Sequence, residues 1–310
     1  MTLFFFVSGR PLTLGVIVLA FAAGISCSPS TPSAGEGSAA GEKSPASAAD
    51  VPAEPTRRLW TEVTLHEAVR AKNPDYTGNG EFNLTPDGLP VAIGLGKCKV
   101  SDISFLRGMP LQALDLLECP VQDLSPIQGM PLVELYLEKT PVVDLSVLAT
   151  LPTLQKLYLN DTPVKDLSPI RGLAQLQELY LVHTQVSDLG PVGGLSALQG
   201  LWLTGCPVSD LTPLKQSPVI SLTVHQTKVQ DLSPLAGTRL QRLHIGETAV
   251  KDLTPLGGLA LTRLVFTPER IEKGLDAVKA IPSLREIGTR FDDAEKDLAP
   301  PAEFWSRPKP

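Results

Sequence analysis

LYLEKTPVVDLSVL (135–148) and LYLNDTPVKDLSPI (157–170) are two copies of one sentence that the chain writes eight times between Ile93 and Leu256. The copies align on an aspartate at Asp102, Asp123, Asp144, Asp166, Asp188, Asp210, Asp231 and Asp252, a period of 21 or 22 residues. A regular period of that length predicts a solenoid, each copy forming one turn of a coil that touches only its neighbours. In the copy from Leu111 to Pro131, Leu114 and Leu116 are separated by one residue, the alternation of a strand with one buried face. Val121, Leu124 and Ile127 bring further apolar side chains from the returning side. Burying the apolar side chains of one coil falls short of the entropy cost of ordering its backbone. A single copy therefore cannot fold alone, and stacking must supply the remainder.

After the aspartate comes Leu-Ser-Pro or a close variant. Ser125-Pro126, Ser168-Pro169, Thr212-Pro213, Ser233-Pro234 and Thr254-Pro255 each place a hydroxyl residue before a proline. That pair suits an N-cap followed by the first helical residue, where proline's missing N–H costs nothing. The short interval before the next strand leucine leaves room for a single 3-10 turn or a short α-helix.

The pattern LxxLxLxxTxVxDLSPL, in eight copies over 93–260, resembles the short leucine-rich repeat of bacterial internalin-like proteins. The resemblance implies an α/β leucine-rich-repeat solenoid: a right-handed superhelix with a parallel β-sheet on its concave side and 3-10 or short helical turns on its convex side. It also implies binding of other proteins on the concave side, without catalysis or a cofactor. Cys98, Cys119 and Cys206 take the place held elsewhere by Thr140, Thr162, Thr184, Thr227 and Thr248. This corresponds to the Asn/Cys/Thr site of such repeats, where a small polar side chain satisfies backbone at the bend. Cys98 and Cys119 fall on adjacent coils, so a bridge between them in an oxidising compartment is an open alternative to two free thiols.

The aspartate column has two readings. Stacked carboxylates could form a calcium ladder, but each is followed by an aliphatic residue and preceded at two positions by valine, with no glycine-rich, multi-oxygen loop. Each carboxylate is instead expected to accept backbone N–H groups within its own turn.

Residues between the strand leucines should point out of the concave face. Eight residues before each aspartate this column reads Gly94, Asp115, Tyr136, Tyr158, Tyr180, Trp202, Thr223 and His244. Amphipathic aromatics are enriched in binding interfaces. Two residues earlier stand Glu134, Lys156, Glu178 and Arg242; two later stand Glu138, Asn160, Thr204 and His225. An aromatic spine with a polar rim fits a protein or glycan partner. Against this stands the bland alternative that the tyrosines stack on one another along the sheet and support its curvature. His225 and His244 come from neighbouring strands, but no third ligand column, phosphate loop or nucleophile elbow accompanies them, so a metal-binding or hydrolytic role is disfavoured and no metal ligand is assigned.

The 310-residue chain carries a net charge of −6, and its lysines and arginines are scattered, which argues against a nucleic-acid partner. Residues 1–27 read as an export signal, with apolar runs at 4–7 and 12–23 and Gly24-Ile25-Ser26 before Cys27. Small residues ending in cysteine resemble a bacterial lipobox, which implies lipidation at Cys27 and anchoring to the cell envelope. Cleavage after Ala20-Phe21-Ala22, giving a secreted or periplasmic protein, and an uncleaved N-terminal anchor are the alternatives. Residues 28–58 are a Ser/Ala/Pro/Gly tether with almost nothing to bury.

Arrays need caps at both ends. Over 59–92, Thr64 and Glu67 fit a capping box opening a short helix through Ala71, Asn73-Pro74 stops it, and 76–89 supplies turns. Over 261–310, Leu261, Leu264 and Phe266 make another strand, a helix follows over 269–280, and Leu284 and Ile287 suggest a last strand. Phe304 and Trp305 are placed to cover the end. The function expected is a protein-binding module displayed from a bacterial envelope; a self-associating structural protein is the rival.

Overall fold

The computed structural model describes residues 4–7, 10–13, 59–290 and 297–307. It divides into two units, Met1–Leu59 and Trp60–Pro310. In the first, β1 (Phe4–Val7) pairs antiparallel with β2 (Arg10–Thr13). Cys27 and the tether lie outside the described residues. No helix among the described residues is long and apolar enough to cross a membrane.

The second unit is built on an open eleven-stranded sheet whose strands follow one another in chain order. Helix α1 (Glu62–Lys72) leads into β3 (Glu81–Leu84), which pairs antiparallel with β4 (Pro90–Gly94). Parallel strands of three residues follow: β5 (Ala113–Asp115), β6 (Glu134–Tyr136), β7 (Lys156–Tyr158), β8 (Glu178–Tyr180), β9 (Gly200–Trp202), β10 (Ser221–Thr223), β11 (Arg242–His244) and β12 (Arg263–Val265). Helix α2 (Leu275–Lys279), β13 (Glu286–Gly288) and α3 (Pro301–Ser306) end the array.

The strands are in strict register, so Leu114, Leu135, Leu157, Leu179, Leu201, Leu222, Leu243 and Leu264 form one column, opened by Ile93 and closed by Ile287. Every member is buried in a single continuous core. On the opposite wall of the core each coil makes one 3-10 turn, as at Ser125–Ile127 and Ser168–Ile170. A parallel pair needs a crossover; here a coil of 21 or 22 residues with a one-turn return provides it.

All eight repeat aspartates accept the backbone N–H two residues on, at 2.7–2.9 Å, from Asp102 with Ser104 to Asp252 with Thr254. The hydroxyl residues are therefore not the caps. They occupy the first position of the turn, with proline second, and the carboxylate two residues upstream does the capping. The hydroxyls of Ser125, Ser168 and Ser233 donate to the same carboxylates at 2.6–3.0 Å. Opposite, Thr140, Thr162, Thr227 and Thr248 donate their hydroxyls to the carbonyl three residues back. Cys119 and Cys206 donate their thiols to Leu95 and Leu181 of the preceding coil at 2.9 Å. Cys98, Cys119 and Cys206 are buried free thiols whose pKa burial pushes upward.

The ends differ from expectation in three places. The capping box of α1 is Thr61 with Thr64, one turn earlier than Thr64 with Glu67. Residues 76–89 contain β3 rather than turns alone, because an antiparallel hairpin covers the first repeat strand. The expected helix over 269–280 is broken: a 3-10 turn (Pro268–Arg270) precedes α2, and Gly274 at φ +88 separates them. At Gly274 a Cβ would lie 2.2 Å from the Thr254 nitrogen, so close packing on the previous coil forbids a continuous helix. Lys273 stands where the repeat would place an aspartate and reaches back to Asp252 at 3.0 Å.

Candidate binding face on the sheet

Alternation along each strand sends one side chain into the core and the next onto the open face of the sheet. Register then sets Tyr136, Tyr158, Tyr180 and Trp202 side by side on that face. Their rings stack with centroids 4.4, 4.3 and 4.0 Å apart and planes within 12° of parallel. In-register parallel strands hold identical side chains at nearly the strand spacing, which enforces this face-to-face pile. The stacking expected as the bland alternative is therefore present, and the tyrosines offer ring edges, not faces, along the pile. Tyr136 is only 8% exposed, whereas Tyr158, Tyr180 and Trp202 are half-buried.

Each ring lies back along its own strand. The Tyr136 hydroxyl donates to Glu134 at 2.8 Å, and that of Tyr180 donates to Glu178 at 3.1 Å. The indole of Trp202 lies over Gly200, where a Cβ would come within 2.4 Å of the ring. Burial first, and the Glu178 carboxylate after it, push Tyr158 up to about 12. Burial likewise drives Tyr136 and Tyr180 upward, so the whole stack stays neutral at physiological pH.

The polar rim is less exposed than the sequence pattern implies. Glu134, Glu138, Asp115 and His225 are 2%, 4%, 6% and 9% exposed. Glu134 is closed in by Tyr136 and by Lys156, whose ammonium lies 3.3 Å away. Asn160 donates to Glu138 at 3.4 Å and accepts the Val182 N–H. Side chains on neighbouring strands cover one another, which no single repeat reveals. Lys156 and Glu178 are half-buried and Arg242 is exposed.

His244 sits opposite Thr223, and His225 lies two residues beyond β10, its ring so near Gly246 that a Cβ there would come within 2.9 Å of Nδ1. Burial pushes the His225 imidazole below its ordinary value, with Glu247 at 3.8 Å opposing the shift. No cluster of three histidine, cysteine or acidic side chains fit to hold a metal occurs among the described residues.

One column escaped the sequence reading. Lys97, Glu118, Lys139, Asp161, His183, Gln226 and Glu247 all have φ between 55° and 62°, and Gly205 completes the set at 73°. These residues stand five before each aspartate and make the sharp bend after the strand. Glycine, the usual marker of such a bend, occurs in only one copy, so the signal was absent. Lys139 pairs with Glu118 and His183 with Asp161, each at 3.0 Å.

With this geometry in hand, likeness to known proteins is informative. The family profile described as "Leucine Rich repeats (2 copies)" matches residues 174–216. The fold superimposes on an internalin (inlF) from Listeria monocytogenes at 25% identity and a TM-score of 0.58, covering 74% of this chain and 70% of that one. An internalin C2 (inlC2) from the same species matches at 26% identity and a TM-score of 0.53, over 66% of this chain and 92% of its own. The chain folds as a leucine-rich-repeat solenoid similar to these internalins. No curated protein matches the sequence. In an internalin-like array the open sheet is the concave face, and the stack from Tyr136 to Trp202 runs along its middle.

Proposed function

We propose that this internalin-like chain is a non-enzymatic protein-binding module displayed from a bacterial envelope, with its concave sheet as the docking face. The single observation that carries the reading is the row of half-buried Tyr158, Tyr180 and Trp202, locked by stacking onto a rigid sheet. Rings fixed before a partner arrives lose little rotamer freedom on binding, so their edges contribute contact at low entropic cost. Lys156, Glu178, Asn160 and Arg242 flank the row and supply orientation. The Cys27 lipobox pattern supports display outside the cell.

The test compares capture of partners by the chain from Trp60 onward with capture by its Tyr158→Ala, Trp202→Ala variant. Hot-spot truncations cost ~2 kcal/mol each, so capture should weaken by more than about 100-fold. Unchanged capture by a correctly folded variant discards the concave site. Anchoring is tested by fatty-acid labelling, which Cys27→Ala should abolish.

A further inference from the structure

The strand-borne charges of the concave face are segregated. On β5–β8 and the residues just beyond stand Asp115, Glu134, Glu138 and Glu178 against the single Lys156. On β11–β13 stand Arg242 and Arg263 against Glu286; Arg263 is already held by Glu286 at 2.7 Å, and Glu247 on the bend after β11 is turned to Gln226 at 2.9 Å and His225 at 3.8 Å, which leaves the exposed Arg242 to set the sign beside His244. Between these halves lie β9 and β10 with Gly200, Trp202, Ser221 and Thr223, none of them charged. Three of the four carboxylates are nearly buried, so water screens them poorly and their field emerges through the low-dielectric wall of the sheet.

Resting on the protein-binding reading above, we infer that the partner is a bipolar polypeptide surface. It docks a basic segment over β6–β8 and an acidic segment over β11, with the uncharged aromatic step between them. Charge complementarity sets the direction in which the partner lies along the array, and a reversed partner meets like charges at both ends. Glu178 and Arg242 stand three strands apart, ~14 Å at the sheet spacing. The two charged segments must therefore be separated by about four to five extended residues.

The experiment uses the full chain with three labelled peptides: hexa-arginine, hexa-glutamate, and an Arg block joined to a Glu block by a five-residue Gly/Ser spacer. Fluorescence anisotropy at low salt reads the affinities. Hexa-arginine should bind and lose about tenfold in affinity on Glu178→Lys, while hexa-glutamate should lose about tenfold on Arg242→Glu. The joined peptide should bind more tightly than either block and lose affinity with either substitution. The inference is overturned if hexa-arginine responds to Asp123→Asn and Asp144→Asn at the turn entries instead of to Glu178→Lys. It is overturned equally if an acidic oligosaccharide, sensitive to Arg242→Glu alone, outcompetes the joined peptide. If capture still depends on Tyr158 and Trp202 while no charge substitution matters, the bipolar partner fails and the concave site stands.

Discussion

At the scale of single residues, two columns govern the bend of each coil. The first is the left-handed column, where seven side chains accept a backbone conformation costing about 1–2 kcal/mol each, and only Gly205 avoids that cost. Gln226→Gly is expected to stabilise the array by about 1 kcal/mol, and Gly205→Ala to destabilise it by at least as much. In Gly205→Ala the new Cβ would also meet the His183 ring at 2.5 Å. Urea unfolding with an unchanged slope checks both. The second column is aspartate. Ser168 and Ser233, through hydroxyl and backbone N–H together, hold Asp166 and Asp231 below the usual carboxylate range, and the same contacts to Thr254, aided by Lys273, bring Asp252 to about 2. Because the folded values are depressed, this stabilisation is complete above pH ~4 and is lost as pH falls through the folded values. An Asp166→Asn, Asp231→Asn variant should show a weaker acid transition in a pH melt monitored by circular dichroism. His225 acts in a different window, since burial lowers its folded value below ~6.5. The unfolded chain takes up that proton first, so stability is complete above pH ~6.5 and falls as the solution is acidified below it. Replacing His225 with Gln should flatten the change in melting temperature between pH ~7.5 and ~5.5.

At the scale of the element, the aromatic stack belongs to four strands at once. Tyr158 makes two ring contacts, with Tyr136 and Tyr180. Aromatic pairs contribute ~0.5–1.5 kcal/mol each, so Tyr158→Ala should cost about 1–3 kcal/mol beyond its lost burial, while Tyr158→Phe keeps the stack. Urea unfolding should register this loss in the first variant and not in the second. Tyr136→Phe probes the other half of the arrangement: it removes a hydrogen bond to the buried Glu134, worth ~1.5–3 kcal/mol for a charged acceptor. The candidate face was thus legible in part. Alternation identified which residues point out of the sheet, and the period identified that they align. How deeply Glu134, Glu138 and His225 are covered depends on side chains one coil away, which differ from copy to copy. The left-handed bend was illegible for a related reason, because stacking forces it on whatever residue stands there.

At the scale of the whole molecule, each coil has no core of its own, and stability accumulates through interfaces between neighbours. Removing one complete repeat, 157–178, should leave a folded array with a smaller urea slope, since less surface is exposed on unfolding. Removing the end piece 298–310 should instead give aggregation, visible by light scattering. Phe304 and Trp305 pack against Phe266, whose ring is fully buried beneath them. At the other end Asn73 clamps α1 to the first coil, accepting the N–H groups of Ser101 and Asp102 and donating to the Asp102 carbonyl at 2.8–2.9 Å.

The repeat period, the strand alternation and the aspartate column were determined by sequence alone, because each depends on spacing within one coil and is written again in the next. Which outward charges are covered, where the terminal helix breaks and which residues bend backward were decided only in three dimensions. Those outcomes arise where one coil meets another, and contact between residues some twenty positions apart leaves no mark on either stretch read separately.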